Sequence, residues 1–157
     1  MFYHLTQNQE TAFNIYENGL KRIQSNLGTK DANQILVDVL GNNNPVVKVR
    51  QNPIYLYFDE KLKSILEQID RSVYVFFVDE KGLDFNKLYV LDQFYLNRVV
   101  EKEVTAQQDI NDCISKYSKT LKTVKEYGES GLEYKYPEFL YLGDIPTEFV
   151  KLVRSPI

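Results

Sequence analysis

Apolar side chains recur every three or four residues in two long stretches of the sequence. In the first, they predict a helix with Thr6 as its N-cap and Gly28 as its stop; the stripe is Ala12, Tyr16, Leu20, Ile23 and Leu27. In the second, they predict the longest helix of the chain, from a Thr105 cap to about Tyr127; the stripe is Ile110, Ile114, Tyr117, Leu121 and Val124. A shorter helix is predicted for Lys30 to Leu40.

Runs of β-branched and aromatic residues predict strands between these helices. The segments 46–50 and 54–58 have the composition of a hairpin. The segment 73–78 is apolar throughout, so both of its faces should be covered, as in a central strand. A further strand is predicted for 87–91, and 94–100 should be another strand or the same one past a bulge.

Two shorter helices complete the predicted elements, one capped by Asp59 and one opened by Pro146. The strands are joined by short turns, and few helices cross over between them. The expected fold is therefore a single α+β domain over residues 1–157, with a mainly antiparallel sheet flanked by about four helices. The aromatic segment of the tail is not expected in the interior of the sheet, because Pro137 should confine it to a sheet edge or a loop.

The composition excludes several kinds of site. The 157 residues are 43% hydrophobic and 13% aromatic, which is enough for one core and too much for a disordered chain. Because there is one cysteine and one histidine, a disulfide framework and a multi-histidine or cysteine-built zinc centre are excluded. No glycine-rich loop follows a predicted strand, so no phosphate cradle is expected, and we expect no cofactor.

The charge balance bears on possible partners and location. There are 19 basic and 22 acidic residues, a net charge of −3, which argues against general binding to nucleic acid. No apolar run reaches the length of about 18 residues that a membrane span needs. The first residues lack the basic start and apolar centre of a secretory signal, so a cytoplasmic location is expected.

Residues able to carry catalysis are few. His4 is the one side chain that titrates near neutral pH without help, and we expect it in a frayed or surface position. Cys113 should be a buried small hydrophobe at the edge of the long helix's apolar stripe. Glu101 and Glu103 would share a face in a strand, but this pair and the other neighbouring acids lie beside predicted turns and helix starts, where solvated carboxylates are normal.

A row of lysines follows the predicted long helix. Lys116, Lys119 and Lys122 should lie opposite its apolar face, and Lys125 at the boundary. Such a row can contact phosphates, but it is also what an exposed helix face normally carries. It defines an alternative function as a nucleic-acid binder.

Tyrosine is the most unusual feature, with 12 Tyr and 9 Phe and no Trp. A cluster of these rings in the tail predicts a protein-binding surface, because tyrosine combines apolar area with a polar tip. Its anchors are Tyr134, Tyr136, Phe139 and Tyr141, with Lys135, Glu133 and Glu138 at the rim.

The sequence thus leads first to a non-catalytic cytoplasmic protein that covers a partner protein, as inhibitors, immunity proteins and chaperones do. The identity of that partner and the oligomeric state are not contained in the residues. The main alternative is a small hydrolase or nuclease that acts through carboxylates and tyrosines with a divalent cation, since hard cations need only oxygen ligands.

Overall fold

A computed structural model of the chain describes residues 1–22, 30–59, 66–67 and 72–156. The strands are β1 (Phe2–Thr6), β2 (Ile54–Phe58), β3 (Tyr74–Val78), β4 (Leu88–Asp92), β5 (Lys122–Thr123), β6 (Pro137–Tyr141) and β7 (Val150–Arg154). The described helices are α1 (Gln9–Asn18), α2 (Lys30–Leu40), α3 (Pro45–Val49), α4 (Gln93–Val100), α5 (Gln107–Lys119) and α6 (Val124–Ser130). Short 3₁₀ turns occupy Glu80–Gly82, Phe85–Lys87 and Thr147–Phe149.

The seven strands form one sheet in the order β5-β4-β6-β2-β1-β3-β7, and all of its pairings are antiparallel. The α+β fold class with an antiparallel sheet is confirmed, although the described residues contain six α-helices rather than about four. Strand β6 comes late in the sequence but lies between β4 and β2. The centre of the sheet therefore joins distant parts of the chain.

Side chains alternate between the two faces of the sheet, and each face has its own core. One core packs α1 against the sheet and contains Ile15, Ile54, Phe76, Leu88 and Phe139. The other packs α2, α3, α4 and α5 against the opposite face and contains Leu36, Val46, Leu91, Ile114 and Leu140. Neighbouring residues of β6, such as Phe139 and Leu140, therefore belong to different cores.

The first helix is shorter than predicted. Asn8, not Thr6, is the N-cap and accepts a hydrogen bond from the Thr11 amide. The helix ends before Gly19, which has a φ of +78°, a backbone conformation that favours glycine. A Cβ atom at this position would collide with the carbonyl oxygen of Ile145. The remaining predicted positions, Ile23 and Leu27, lie outside the described residues, as do Leu62, Ile65 and Ile69 of the helix predicted after Asp59.

Two predicted strands are helices. Residues 45–49 form α3, because the Asn44 side chain caps the Val46 amide and Pro45 occupies the first turn. There is thus no hairpin with β2, which pairs instead with β1 and β6. Residues 93–100 form α4 because Asp92 caps the Phe94 amide. The predicted strands 54–58, 73–78 and 87–91 are confirmed as β2, β3 and β4. Strand β3 lies between β1 and β7, and side chains on both of its faces are buried, Val75 on one and Phe76 on the other.

The predicted long helix is two helices. The first, α5, begins at Gln107 without the expected Thr105 cap and ends at Lys119. Lys122 and Thr123 then pair with β4, and α6 starts after them. Lys116 and Lys119 lie on α5, Lys122 on β5 and Lys125 on α6, so the single lysine face predicted for one helix does not exist.

The tail also differs from its prediction. Pro137 is the first residue of β6, which is an interior strand of the sheet. Proline is tolerated at this position because the amide hydrogen that it lacks is missing only at the start of the strand. Pro146 precedes a single 3₁₀ turn, and the following residues form β7 rather than a helix.

His4 is buried within β1 rather than frayed. The described β1–β2 pairing stops at Tyr3, and beyond it the Nδ1 atom of His4 lies 3.0 Å from the Tyr55 carbonyl oxygen. Since a carbonyl only accepts, Nδ1 is assigned the proton. Burial lowers the pKa of His4, and the hydrogen bond to Tyr55 opposes that shift only in part.

We therefore expect the free energy of unfolding to fall on mild acidification. The unfolded chain binds a proton at the ordinary histidine pKa of about 6.5, whereas the folded chain binds it only at lower pH. Stability is then full above that value and declines below it by up to about 1.4 kcal/mol per pH unit. Urea unfolding between about pH 8 and pH 5 measures the slope.

The variant His4→Asn is the control, since its amide can still donate to Tyr55 but does not titrate there. The unfolding free energy of this variant should not change between about pH 8 and the pH at which carboxyl groups begin to bind protons. A wild-type curve that is equally level would contradict the buried neutral histidine.

Candidate functional site

The structure separates the predicted partner-binding residues into two groups. Lys135 and Tyr136 are exposed, Tyr136 to 44%, and Tyr134 is half-buried. Phe139 and Tyr141 are buried in the core that contains α1, so they cannot anchor a partner in the folded chain. The prediction is wrong at these two positions because β6 is an interior strand whose odd-numbered side chains face a core.

The segment before β6 is held by the side chain of Asp92. This carboxylate accepts hydrogen bonds from the amides of Phe94, Lys135 and Tyr136, at 3.1, 3.2 and 3.0 Å. The Gln93 amide donates in turn to the Tyr136 carbonyl, at 2.8 Å. The start of α4 and the segment 135–136 are therefore fixed to one buried carboxylate.

These contacts bring three side chains together, which we call the rim cluster: Phe94, Lys135 and Tyr136. The Lys135 ammonium lies 4.2 Å from the centre of the Phe94 ring and 5.8 Å from that of Tyr136. The two rings are tilted, with centres 6.2 Å apart. The cluster presents a cation and two aromatic faces next to each other.

The rim cluster borders a cavity of about 650 Å³ between α4 and the strands β2 and β6. We call it the α4 cavity. Its wall carries tyrosine rings from β2, amides and charges from α4, and the start of β6. The lining residues include Tyr55, Tyr57, Gln93, Phe94, Tyr136 and Glu138. Both hydrogen-bonding and aromatic groups therefore converge on one space.

A buried polar network lies at the base of the cavity. Arg50 Nη1 donates to Glu138 Oε1 at 2.6 Å and lies 2.9 Å from the Tyr117 hydroxyl oxygen. The Tyr117 hydroxyl also donates to Glu138 Oε1, at 3.0 Å, and Gln93 Nε2 donates to Oε2. The Arg50 and Glu138 side chains are only 3% and 5% exposed.

Five elements supply this network, and Gln93 is the first residue of α4. Arg50 follows the last residue of α3, and its Nε donates to Asn33 of α2 at 2.9 Å. Tyr117 comes from α5. Glu138 comes from β6, where it faces away from Phe139 and toward the layer of helices. The network thus connects the helices to the centre of the sheet.

Charge and burial act together on the titratable groups. Burial lowers the pKa of Arg50, but the charge of Glu138, the neighbouring tyrosines Tyr117 and Tyr55 and the hydrogen bond to Glu138 together more than offset this, so that the net pKa is raised. Burial and then Glu138 raise the pKa of Tyr57, and burial followed by Glu138 raises that of Tyr117 well above its ordinary value. At neutral pH the site therefore holds protonated tyrosines around an ion pair.

Sequence reasoning missed most of this site. It placed Glu138 at an exposed rim, whereas the structure buries it, and it gave no role to Arg50. The available signal was Arg50 directly after an apolar run, together with tyrosines at alternate positions of a strand, Tyr55 and Tyr57. The partner residues of that arginine come from distant segments, which no local pattern reveals.

The other candidate residues lie apart from the cavity base. Cys113 is buried in the core under α5, as predicted. Glu101 and Glu103 are exposed beyond the end of α4 and do not form a strand, but both line the outer part of the α4 cavity; Glu103 Oε2 lies 3.6 Å from Arg98 Nε. Among the described residues, no group of three or more His, Cys, Asp and Glu side chains is arranged to hold a metal ion.

No helix in the described part of the chain has both the length and the apolar character to cross a membrane. Comparisons with protein-family models, with curated proteins and with solved structures found no match to the chain.

We expect the Arg50–Glu138 pair to be strongly coupled. Each of the single variants Arg50→Met and Glu138→Leu leaves a buried charge without its partner and should reduce the unfolding free energy by about 3–5 kcal/mol. The double variant removes both charges, so its loss of unfolding free energy should be well below the sum of the two single losses. Urea unfolding of the four proteins measures the coupling energy. Additive losses would show that the two charges act independently.

Proposed function

We propose that the protein binds a small, planar, polar molecule in the α4 cavity and acts on it through the carboxylate of Glu138. In the terms of the sequence analysis, this is the carboxylate-and-tyrosine enzyme. The observation that carries the proposal is the convergence of Glu138, Gln93 and Tyr57 on one cavity.

The size and lining of the cavity support a small ligand. Its volume of about 650 Å³ falls inside the range of about 300–1,000 Å³ that small-molecule sites occupy. The rings of Phe94, Tyr136 and Tyr57 provide faces against which a planar group can stack. The carboxylate of Glu138 accepts hydrogen bonds from hydroxyl or amide groups.

The role of Glu138 follows from its partners. As an ion pair with Arg50, the carboxylate is negatively charged, and hydrogen bonds from Tyr117 and Gln93 fix its orientation. A charge that is oriented before the ligand arrives stabilises positive charge or a hydroxyl proton on the ligand without rearrangement. Catalysis by charge stabilisation and orientation therefore fits this carboxylate better than a role as a mobile base. No described group of acids supports the divalent cation that the sequence analysis attached to this alternative.

The test is a ligand screen with a matched pair of variants. Sugars, nucleosides, nucleotides and aromatic amino acids are the probes, and saturation-transfer NMR measures binding. Removing one hydroxyl from the cavity wall in Tyr57→Phe should weaken a bound probe by up to about tenfold. Tyr16→Phe removes the same group from an exposed helix face and should have no effect.

Failure of every probe to bind, or equal binding by the two variants, would count against the cavity as the site. For a probe that binds, Glu138→Gln keeps the shape of the side chain and removes its charge. Turnover of the bound probe should then be lost. Because Glu138→Gln also leaves the buried Arg50 charge without its partner, urea unfolding is used to choose conditions under which the variant is folded. Unchanged turnover by the folded variant would remove Glu138 from the mechanism.

A second function, the coverage of a partner protein, is favoured by the rim cluster. Of the residues predicted from the sequence, the anchor Tyr136 and the rim residue Lys135 are exposed, and Phe94 joins them from α4. Asp92 accepts hydrogen bonds from the backbone amides of all three, so no backbone ordering is needed there when a partner binds. A partner bound here would lie across the mouth of the α4 cavity and block it sterically.

To test this function, the immobilised protein is used to capture partners from the native host, and the captured protein is then purified and titrated directly. The variants Tyr136→Ala and Lys135→Ala should weaken that complex about tenfold or more, as expected at the centre of an interface. Val153→Ala, an exposed apolar residue on β7, is the control and should bind normally. A complex that tolerates both rim variants would contradict this function.

A further inference from the structure

The outer face of α1 carries two exposed aromatic rings. Phe13 and Tyr16 are 67% and 64% exposed, whereas Ala12 and Ile15 of the same helix are buried in the core. Large aromatic side chains are normally covered, and an exposed group of them commonly marks an interaction surface. The rings lie on the other side of the sheet from Glu138, since α1 packs against the core that contains Phe139.

Two acids accompany the rings. Phe13 lies three residues after Glu10, three before Tyr16 and four before Glu17, so all of them are its neighbours on the helix surface. Glu10 and Glu17 are exposed, and α1 contains no basic residue. The group of Glu10, Phe13, Tyr16 and Glu17, which we call the α1 patch, is therefore aromatic at its centre and acidic on its flanks.

Nothing in the described part of the chain engages the α1 patch. None of its four side chains takes part in a hydrogen bond, an ion pair or a ring contact there. The four groups lie on a helix of ten residues whose start is capped by Asn8, so their relative positions are fixed by the backbone. A partner can bind this patch without any rearrangement of the helix.

We propose that the α1 patch binds an arginine-bearing segment of a partner protein. A guanidinium group stacks on an aromatic face through its plane and at the same time donates paired hydrogen bonds to a carboxylate. Phe13 and Tyr16 provide the faces, and Glu10 and Glu17 provide the carboxylates one turn to either side. Lysine satisfies these requirements less well, because its ammonium neither stacks nor donates in a planar fork.

The charge of the patch opposes other occupants. A second copy would bring its own Glu10 and Glu17 to the same place, and like charges in an interface are unfavourable. An anionic lipid surface would be repelled by the same two acids. This surface is independent of the α4 cavity, and the inference does not rest on the function proposed for that cavity.

The test is a selection from a displayed library of random linear peptides on immobilised wild-type protein. Peptides that also bind the double variant Phe13→Ser/Tyr16→Ser are removed. We expect the remaining peptides to be enriched in arginine. Their affinity should fall about tenfold or more when arginine is replaced by citrulline, which has nearly the same shape and no charge.

Two further variants separate rings from charges. Glu10→Gln/Glu17→Gln keeps both rings and should weaken the selected peptides and reduce the salt dependence of their binding. Leu132→Ser removes an equally exposed apolar side chain elsewhere and should bind as wild type does. Because all of these positions are exposed, the variants should fold normally.

Three results of the peptide selection would overturn the inference: no peptide that distinguishes wild type from the double variant, selected peptides without arginine enrichment, or citrulline peptides that bind equally well. Association of the protein with itself that is lost in the double variant would assign the patch to a second copy instead, and would also overturn it.

Discussion

The structure depends on one buried ion pair, that of Arg50 with Glu138. The arginine comes from the end of α3 and the glutamate from the middle of the sheet, and each is almost fully withdrawn from water. A buried charge is tolerated only when an opposite charge and hydrogen bonds replace its hydration. The pair therefore fixes where α3 lies on the sheet, and Asn33 and Tyr117 extend the same constraint to α2 and α5.

The same constraint explains where the cavity lies. Around the ion pair, the space between α4 and the strands is lined with amide and tyrosine groups rather than with the aliphatic side chains that close the rest of this face. A second carboxylate, Asp92, fixes the cavity's border by accepting hydrogen bonds from both α4 and the segment before β6. The two carboxylates thus have different roles: Glu138 provides the charge at the base of the cavity, and Asp92 binds the backbone of the residues at its mouth.

Helices and strands could be predicted from the sequence where nearby residues determine their type and their ends. The helix Lys30–Leu40 has the ends that the sequence predicts. Its apolar positions face the core on which it packs, and Gly41 directly after it has a positive φ. The segment 46–50 was predicted wrongly, because β-branched residues favour strands, whereas the cap by Asn44 and the proline after it start a helix. The error at 93–100 has the same cause, since its aromatic and β-branched residues favour a strand, whereas the cap by Asp92 starts a helix.

The site was predictable only in its chemical character. Tyrosine content and carboxylates pointed to the kind of residues involved, but Tyr55, Glu138 and Arg50 meet through the placement of β6 between β4 and β2. That placement is a long-range property of the sheet, and it turned two predicted anchors, Phe139 and Tyr141, into core residues.

The two faces of the sheet consequently offer different kinds of surface. On the face with Glu138, charge is kept inside, and access is limited to a cavity whose border is fixed by hydrogen bonds. On the opposite face the core is apolar, and the acids and two rings are carried outward on α1. The first arrangement suits a ligand small enough to enter, and the second suits a chain that remains outside. Because the sheet separates the α4 cavity from the α1 patch, the two proposed sites share no residue, and occupation of one would not block the other.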